Sequence, residues 1–561
     1  MITGSRFAGV CFAITYMALL APSRATAQAV LYQIPGTDAG GGPHVKIVTL
    51  SINGAEAIAI GTPDHDEPGL PGAGKVEVYS ARTATLLYTV TGSGAGDRYG
   101  VRVAHGDVNG DGNDDLIVGA DQGGVGGYVD VLNASDGSLI ETVVESSSAA
   151  AIGGGAIVLT EDFDGDGIHE LAVGSPLEDS AVLPKTGALH VISSSTGSDI
   201  ATIYGGSTGA QFGQSGVDMG AEDLDGDGIA DLVIDAPVDG GFGSVSCYSG
   251  ADFHLIWQTF GVVAGEEFGT AITELGADFD GDGIPDLAAG VVWAGLPPCP
   301  PGHVELLSGA SGSVINDLAS TEIDNEFGES LDSYDVDEDG FPELLVGAPG
   351  ADAGGVDRGS VAAFKWDTTL VPPAFVQIAE VVGTSDGDEL GDSIRQYCCG
   401  LGSSGMDGLA VTLPGSDTGA VDGGAVAICS LIGSVASATN YGTGWSGTLG
   451  VPAIFASNPP KLGAALTVHV DNSSPAATAG LLFVGFAQAS IPTRAGGTIL
   501  VAAPWILGLL PLPIGGLDIN ATMPIDLLLC GFEIDLQCLE SDAGASRKIS
   551  FTPGLSLLLG G

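Results

Sequence analysis

The sequence predicts an all-β protein built by repetition, and three observations carry that expectation. Gly 91 and Pro 29 among 561 residues interrupt helices too often for long ones, while 44% hydrophobic residues leave ample material for a core. An acidic string returns five times, as "DVNGDGNDD" from Asp107, "DFDGDGIHE" from Asp162, "DLDGDGIAD" from Asp223, "DFDGDGIPD" from Asp278 and "DVDEDGFPE" from Asp335, at spacings of 55, 61, 55 and 57 residues. A glycine followed by alternating apolar residues, as in "GKVEVYS" and "GHVELLS", returns seven times, from Gly74, Gly127, Gly187, Gly243, Gly302, Gly359 and Gly424. A unit of nearly 60 residues with several short strands makes one four-stranded blade, and seven such units closing a ring make a seven-bladed β-propeller over residues 28–435.

The chain opens with Arg6, an apolar stretch from Phe7 to Ala21 and then Ala25-Thr26-Ala27, the three parts of a secretory signal peptide over residues 1–27. The expected location is therefore secreted or cell surface, and the leader has a bacterial look. Cleavage after Ala27 removes Arg6 and Arg24 and no acid, moving the net charge from −55 to −57. Such a field repels phosphate backbones and excludes nucleic acid as a partner. No transmembrane segment is expected in the mature chain: the most apolar run, Ile499 to Ile514, is short and holds Pro504, Pro511 and Pro513, so it reads as buried strands with turns.

Each acidic string offers the chemistry of a Ca2+ loop. Side-chain oxygens stand at positions 1, 3, 5 and 9, and the backbone carbonyl of position 7 is a fifth donor, with glycine at position 6 where the chain must turn sharply. The expected metal ligands are Asp107, Asn109, Asp111, Asn113 and Asp115; Asp162, Asp164, Asp166, Ile168 and Glu170; Asp223, Asp225, Asp227, Ile229 and Asp231; Asp278, Asp280, Asp282, Ile284 and Asp286; and Asp335, Asp337, Asp339, Phe341 and Glu343. An acidic surface turn is the plainer alternative, but five aligned copies speak against it. An EF-hand fails in every copy, because position 12 is Val118, Val173, Ile234, Ala289 or Val346 where a bidentate glutamate is needed. About five structural Ca2+ ions are expected, which would bring −57 to −47.

A short apolar run follows each loop, as in "DLIVGAD" from Asp115 and "ELLVGAP" from Glu343, and reads as a buried strand ending in a turn. Two further units lack the acidic cage. "INGAEAIAIGTP" from Ile52 keeps only strand and turn, and "GMDGLAVTLP" from Gly405 keeps Asp407 and Gly408, so neither is expected to hold metal. Ala29 to Ile34 is a candidate for the strand that closes the ring.

A Phe-Gly pair stands at Phe212-Gly213, Phe268-Gly269 and Phe327-Gly328, with Tyr99-Gly100 and Leu390-Gly391 as variants. A Gly-Ala-Pro element stands at Gly347-Ala348-Pro349 and is varied at Gly61-Thr62-Pro63, Gly174-Ser175-Pro176 and Asp235-Ala236-Pro237. With the acidic loops in register, the chain resembles the FG-GAP repeat family, the integrin α type of β-propeller, over about residues 29–435. The resemblance implies that the calcium loops brace the face away from the ligand, and that the metals are structural. Nothing resembling integrin leg domains or a membrane anchor follows in this sequence.

Beyond Ser434 the stretch "SVASATNYGTGWSGT" reads as a linker, and residues 436–561 as linker plus a small C-terminal β-sandwich-like domain with strands such as "AALTVHV" and "KISFTPGLSLLLG". It resembles, loosely, the C-terminal module of some exported bacterial repeat proteins. Seven cysteines remain after cleavage, Cys247, Cys299, Cys398, Cys399, Cys429, Cys530 and Cys538, so at least one has no intramolecular partner; the connectivity stays open.

No catalytic residues are expected. Gly205 to Gly209 and Gly383 to Gly387 match G-x-S-x-G without a strand-to-helix turn, and the paired acids belong to the loops. His105 and His169 read as loop residues, and His190 and His303 as ordinary polar residues on the less buried face of a strand. Trp293 stands in the Pro-stiffened loop "VWAGLPPCPPG", and the reading there is an insertion packed on its own blade. The leading expectation is an exported calcium-binding propeller acting as a non-catalytic recognition or adhesion module for an extracellular protein or glycan. A propeller-based polysaccharide lyase or hydrolase, and a structural cell-envelope protein, remain as alternatives.

Overall fold

The computed structural model describes residues 29–36, 46–81, 83–123, 126–143, 152–214, 222–293, 300–334, 341–352, 355–397, 408–417, 424–430, 437–461, 464–493, 497–502, 505–523 and 533–559. The expected leader, the acidic residues Asp335, Asp337 and Asp339, and Cys299, Cys398, Cys399 and Cys530 lie outside them. The regular elements of the described structure are nearly all strands, its helical turns being short 3-10 pieces such as Asp239–Gly241 and Ser546–Lys548. It falls into two compact units, one of residues 33–400 and 407–431, the other holding, among the described residues, 29–32 and 437–559.

Seven antiparallel sheets follow one another in the larger unit. The first pairs Lys46–Ile52, Ala55–Thr62, Lys75–Ser80 and Leu86–Thr91, and the second Arg102–Gly106, Asp115–Ala120, Tyr128–Asn133 and Leu139–Val143. The third holds Ile157–Leu159, Leu171–Ser175, Ala188–Ser193 and Ser198–Tyr204; the fourth shows three described strands, Leu232–Ala236, Ser244–Tyr248 and Leu255–Phe260. The fifth holds Glu266–Glu274, Leu287–Trp293, His303–Leu307 and Val314–Ala319, and the sixth Leu331–Tyr334, Glu343–Ala348, Ser360–Asp367 and Ala374–Val382. The seventh takes Ile394–Tyr397, Gly408–Leu413 and Ala425–Ser430 from its own repeat and Ala29–Pro35 from the N-terminus.

The first strands of the first, second and third sheets touch in turn, as do those of the fifth, sixth and seventh, Leu232–Ala236 of the fourth lies against Glu266–Glu274 of the fifth, and Ile394–Tyr397 of the last sheet lies against Lys46–Ile52 of the first, which closes a β-propeller. Lys46 Nζ stands 3.4 Å from Asp392 Oδ2 across that seam. The second strand of each sheet is sandwiched between neighbours, and Asp115–Ala120, Leu171–Ser175, Leu232–Ala236 and Glu343–Ala348 are buried throughout. That is why these segments read as unbroken apolar runs, whereas the outermost Leu86–Thr91 is mostly exposed. The core lies between sheets: Val76 and Val78 of the first meet Tyr99, Leu116 and Val118 of the second.

The Phe-Gly and Gly-Ala-Pro elements are the joints of this ring. Phe212, Phe268 and Tyr99 are buried, and each forms a parallel bridge to the glycine that opens the preceding sheet's third strand: Gly187, Gly243 and Gly74. The next glycine then passes between two sheets. Gly213 N–H donates to Asp235 O at 2.8 Å in its own sheet, while a Cβ on Gly174 of the preceding sheet would run into the Gly213 carbonyl oxygen. The third sheet is entered by Ile152-Gly153, which sequence inspection passed over: Ile152 is buried, and a Cβ on Gly119 would meet the Gly153 carbonyl.

The smaller unit holds three sheets. One has six strands, Ser437–Tyr441, Gly554–Leu558, Glu533–Ser541, Thr478–Gly485, Trp505–Leu512 and the short Ile549–Phe551. A second has Ile454–Ala456, Ala465–Val470 and Leu517–Thr522, and a third Gln488–Pro492 and Thr498–Val501. The run from Ile499 to Ile514 does form strands, and its burial is divided: Leu500, Val501 and Leu512 are buried as expected, whereas Trp505 is 56% exposed, Ile506 58% and Leu509 69%. Their strand pairs with Thr478–Gly485 at the end of the sheet order, so one edge of it meets no other described strand. Cys247 and Cys538 are buried free thiols.

Candidate metal centres

In the second, third and fifth sheets the acidic loop connects the first strand to the second, and in the four described loops the residues divide the polar tasks by position. Position 1 organises the backbone: Asp223 Oδ1 accepts from Gly226 N at 2.6 Å and Asp227 N at 3.1 Å, and its Oδ2 from Gly228 N at 2.7 Å. Asp162 does the same for Gly165, Asp166 and Gly167, Asp278 for Gly281 and Gly283, and Asp107 for Asp111 and Gly112. Position 5 caps position 7, with Asp166, Asp227, Asp282 and Asp111 accepting from the N–H of Ile168, Ile229, Ile284 and Asn113 at 2.8–2.9 Å. The glycines that make the turn occupy positions 4 and 6, as Gly226 and Gly228 with φ of 82° and 91°.

Position 9 is buried and faces inward. Asp231 Oδ2 accepts from Leu224 N at 2.7 Å and Asp225 N at 3.0 Å, and its Oδ1 from Gly250 N at 3.1 Å, tying the loop to the turn after the third strand. Asp286 repeats this with Phe279, Asp280 and Gly309. Burial raises the carboxyl pKa of Asp115 and Asp286 to about 6 and lifts Glu170 and Asp231 as well, with the loop's other carboxylates adding to the shift.

Ligand oxygens of Asp162, Asp164, Asp166 and Glu170 lie within 4.8 Å of one another, as do those of Asp223, Asp225 and Asp231, and those of Asp278, Asp280 and Asp282. In the second loop Glu170 Oε2 accepts from Phe163 N, while Glu170 Oε1 is buried without a hydrogen-bond partner. A buried carboxylate oxygen left unpaired beside three other acids fits a hard cation. Asp227 and Asp286 stand outside their loops' gathered trios. The carboxylates of the first loop are not gathered in this way, and Asp115 Oδ2 accepts from Val108 N and Asn109 Nδ2 instead. Of the fifth loop, Phe341 is exposed and Glu343 buried.

His105 Nδ1 is 3.3 Å from Asp114, which also accepts from Ser51 N of the first sheet, and His169 Nδ1 donates to Thr160 O at 2.6 Å. His190 departs from the expectation of a less buried face: it is buried, with Nε2 2.7 Å from Glu178, because the loop after Leu171–Ser175 folds back over its strand. His303 is half-buried, 4.0 Å from Glu305, and Trp293 is half-buried. No described helix is long and apolar enough to cross a membrane.

The FG-GAP repeat family matches residues 99–132, 153–192 and 327–364, which run from the Phe-Gly joint through the third strand of the second, third and sixth sheets. Integrin alpha-5 of Xenopus laevis is 27% identical over 274 residues, covering 45% of this chain and 25% of that protein. Integrin alpha-V of Gallus gallus is 30% identical over 219 residues, 35% and 20% respectively, and integrin alpha-PS2 of Drosophila melanogaster 31% over 227 residues, 35% and 15%. The chain thus spans a quarter or less of the length of these relatives. A chain in a crystal structure of the mitotic checkpoint complex aligns at TM-score 0.43 and 11% identity, covering 73% of this chain and 96% of that one, too low to argue from. With these repeats in register with the sheets and integrin α relatives near 30% identity, the chain carries FG-GAP repeats and is integrin-α-like over its β-propeller.

Proposed function

We propose that the chain is an exported, calcium-braced, seven-bladed propeller that acts as a non-catalytic recognition or adhesion module, secreted or at the cell surface, with a C-terminal β domain over residues 436–561. The observation that carries the metal reading is the second loop, where Glu170 Oε1 is orphaned among Asp162, Asp164 and Asp166. The third and fourth loops support it with their own gathered carboxylates. Side-chain oxygens at positions 1, 3, 5 and 9 and the carbonyl of position 7 would hold the ion, whose contribution is positive charge at a turn that joins two strands. Sites of this extracellular kind bind Ca2+ at roughly 10⁻⁴ to 10⁻³ M, so binding stabilises the native ring by mass action. The recognition role rests on the integrin α relatives and on the signal-peptide-like start of the sequence.

The experiment presents the protein, first with calcium and then with EDTA, to a panel of glycans and envelope extracts while both retention and chemical conversion are measured. Calcium-dependent retention without conversion is the expected result. Conversion of a glycan would replace this reading with that of an enzyme, and calcium-dependent self-assembly without retention would replace it with that of a structural envelope protein.

A further inference from the structure

The smaller unit carries a hairpin, Gln488–Pro492 with Thr498–Val501, that pairs with no other described strand and is tied to the six-stranded sheet by side chains. Its seat is one face of the strand Glu533–Ser541, where Glu533, Asp535 and Gln537 alternate. Gln537 Oε1 accepts from Leu500 N at 2.9 Å, its Nε2 donates to Thr498 O at 3.0 Å, and Gln488 Nε2 donates to Glu533 Oε1 at 3.3 Å. Asp535 pairs across the sheet with Gly485 and Ser556, and a Cβ on Gly485 would strike Val501, so Asp535 lies on the face that the hairpin covers.

Asp535 is fully buried, and both of its carboxyl oxygens lack a hydrogen-bond partner. The polar group beside them is the hydroxyl of Tyr441, whose ring crosses the sheet over Gly554, where a Cβ would collide with it. Tyr441 has one hydrogen to give, and it donates that hydrogen to Leu500 O in the hairpin at 3.0 Å. A neutral carboxyl leaves this bond undisturbed, because it can donate its own proton to the Tyr441 oxygen. An ionised one can only accept, and a buried carboxylate without a donor is costly. Among the described residues, the titratable groups facing Asp535 are Glu533 on its own strand and Tyr441 from Ser437–Tyr441; Gly485 and Ser556 on the flanking strands and Leu500 and Val501 in the hairpin bring none. Burial raises the Asp535 carboxyl to about 6, against the pull of Tyr441 and with help from Glu533.

We propose that Asp535 and Tyr441 form an acid-held clasp: while Asp535 is neutral the Tyr441 hydroxyl fastens the hairpin through Leu500 O, and ionisation of Asp535 draws that hydrogen away and loosens the hairpin. A carboxyl whose folded pKa lies above its unfolded value of about 3.9 favours the docked state fully below that value and progressively less as pH rises through about 6. The hairpin is thus fastened in acid and opens more often at neutral pH, with the ties through Gln537 and Glu533 returning it to the sheet.

Hydrogen exchange of the full chain in calcium tests this, read by mass spectrometry at about pH 5 and about pH 8 and corrected for the intrinsic exchange rate. Protection of residues 488–501 is expected to fall about tenfold between the two, while the strand Thr478–Gly485 stays protected at both. Asp535→Asn, whose amide can still donate to Tyr441, should keep the hairpin protected at both pH values. Tyr441→Phe should bring hairpin protection in acid down to the level of the parent in base. The clasp is overturned by equal protection of the parent hairpin at both pH values, by a tenfold fall that survives in Asp535→Asn, or by an equal loss from Thr478–Gly485. If Asp535→Asn does not fold, Tyr441→Phe with the full acid protection of the parent overturns it.

Discussion

Asp223 and Asp225 stand two positions apart in one loop yet support it in different ways. Asp223 satisfies three backbone N–H groups, whereas Asp225 accepts only one, from Asp227 at 3.0 Å. Asp223→Ala should therefore cost about 1–3 kcal/mol in EDTA as well as in calcium, and Asp225→Ala should lose most of its effect once calcium is removed. Thermal denaturation of both variants in both buffers checks this; equal losses for Asp225→Ala with and without calcium would remove it from the cage. A pH effect belongs to Glu305, which burial, helped by Asp317 and Glu266, pushes up to about 7, with His303 4.0 Å away. A folded-state pKa above the unfolded value means that the folded state holds the proton more tightly. The contribution of Glu305 to stability is thus full below about pH 4.3 and is lost as pH rises through about 7. Glu305→Gln should flatten the stability profile over that window and leave the protein more stable than the parent at pH 8, as urea titrations at several pH values would show.

At the scale of the element, the stability of the ring depends on its joints. Phe268 is buried between the fourth and fifth sheets among Val245, Trp257 and Val291, so Phe268→Ala should cost about 3–5 kcal/mol. Gly243 has φ 81°, and a Cβ there would collide with the Phe268 backbone, so Gly243→Ala should cost about 1–3 kcal/mol although it adds only one methyl group. Guanidinium titrations measure both, and a neutral Gly243→Ala would show that the joint can open without loss. These joints also explain how far the motif was legible. Phe212, Phe268 and Phe327 were visible as aromatic-glycine pairs, but Ile152-Gly153 makes the same joint without an aromatic ring. Burial and the backbone approach, rather than the ring, are what the geometry requires there.

At the scale of the molecule, the proposed calcium brace and the net charge bear on the same stability. A chain of −55 that gathers carboxylates in its loops should lose stability when the cation is withdrawn, by about 1–3 kcal/mol per site at calcium near ten to a hundred times Kd. Calorimetry should resolve two transitions for the two compact units, and EDTA should lower only that of the propeller. A shift of both transitions, or of neither, would contradict a calcium brace confined to the acidic loops.

The all-β class, the repeat length, the acidic loops and most of the Phe-Gly and Gly-Ala-Pro positions were readable from the residues alone. Each is a local demand, for a turn, an alternation or an oxygen at fixed spacing, that neighbouring residues must meet wherever the chain goes. Only the tertiary structure decided that His190 is buried on Glu178, and that Trp505 and Leu509 lie exposed on their strand. The same holds for the hydrogen bond from Arg102 to the Gln214 carbonyl, 112 residues apart. Those facts depend on which surfaces ring closure and sheet order bring together, and contacts made at such separations leave no periodic trace along the chain.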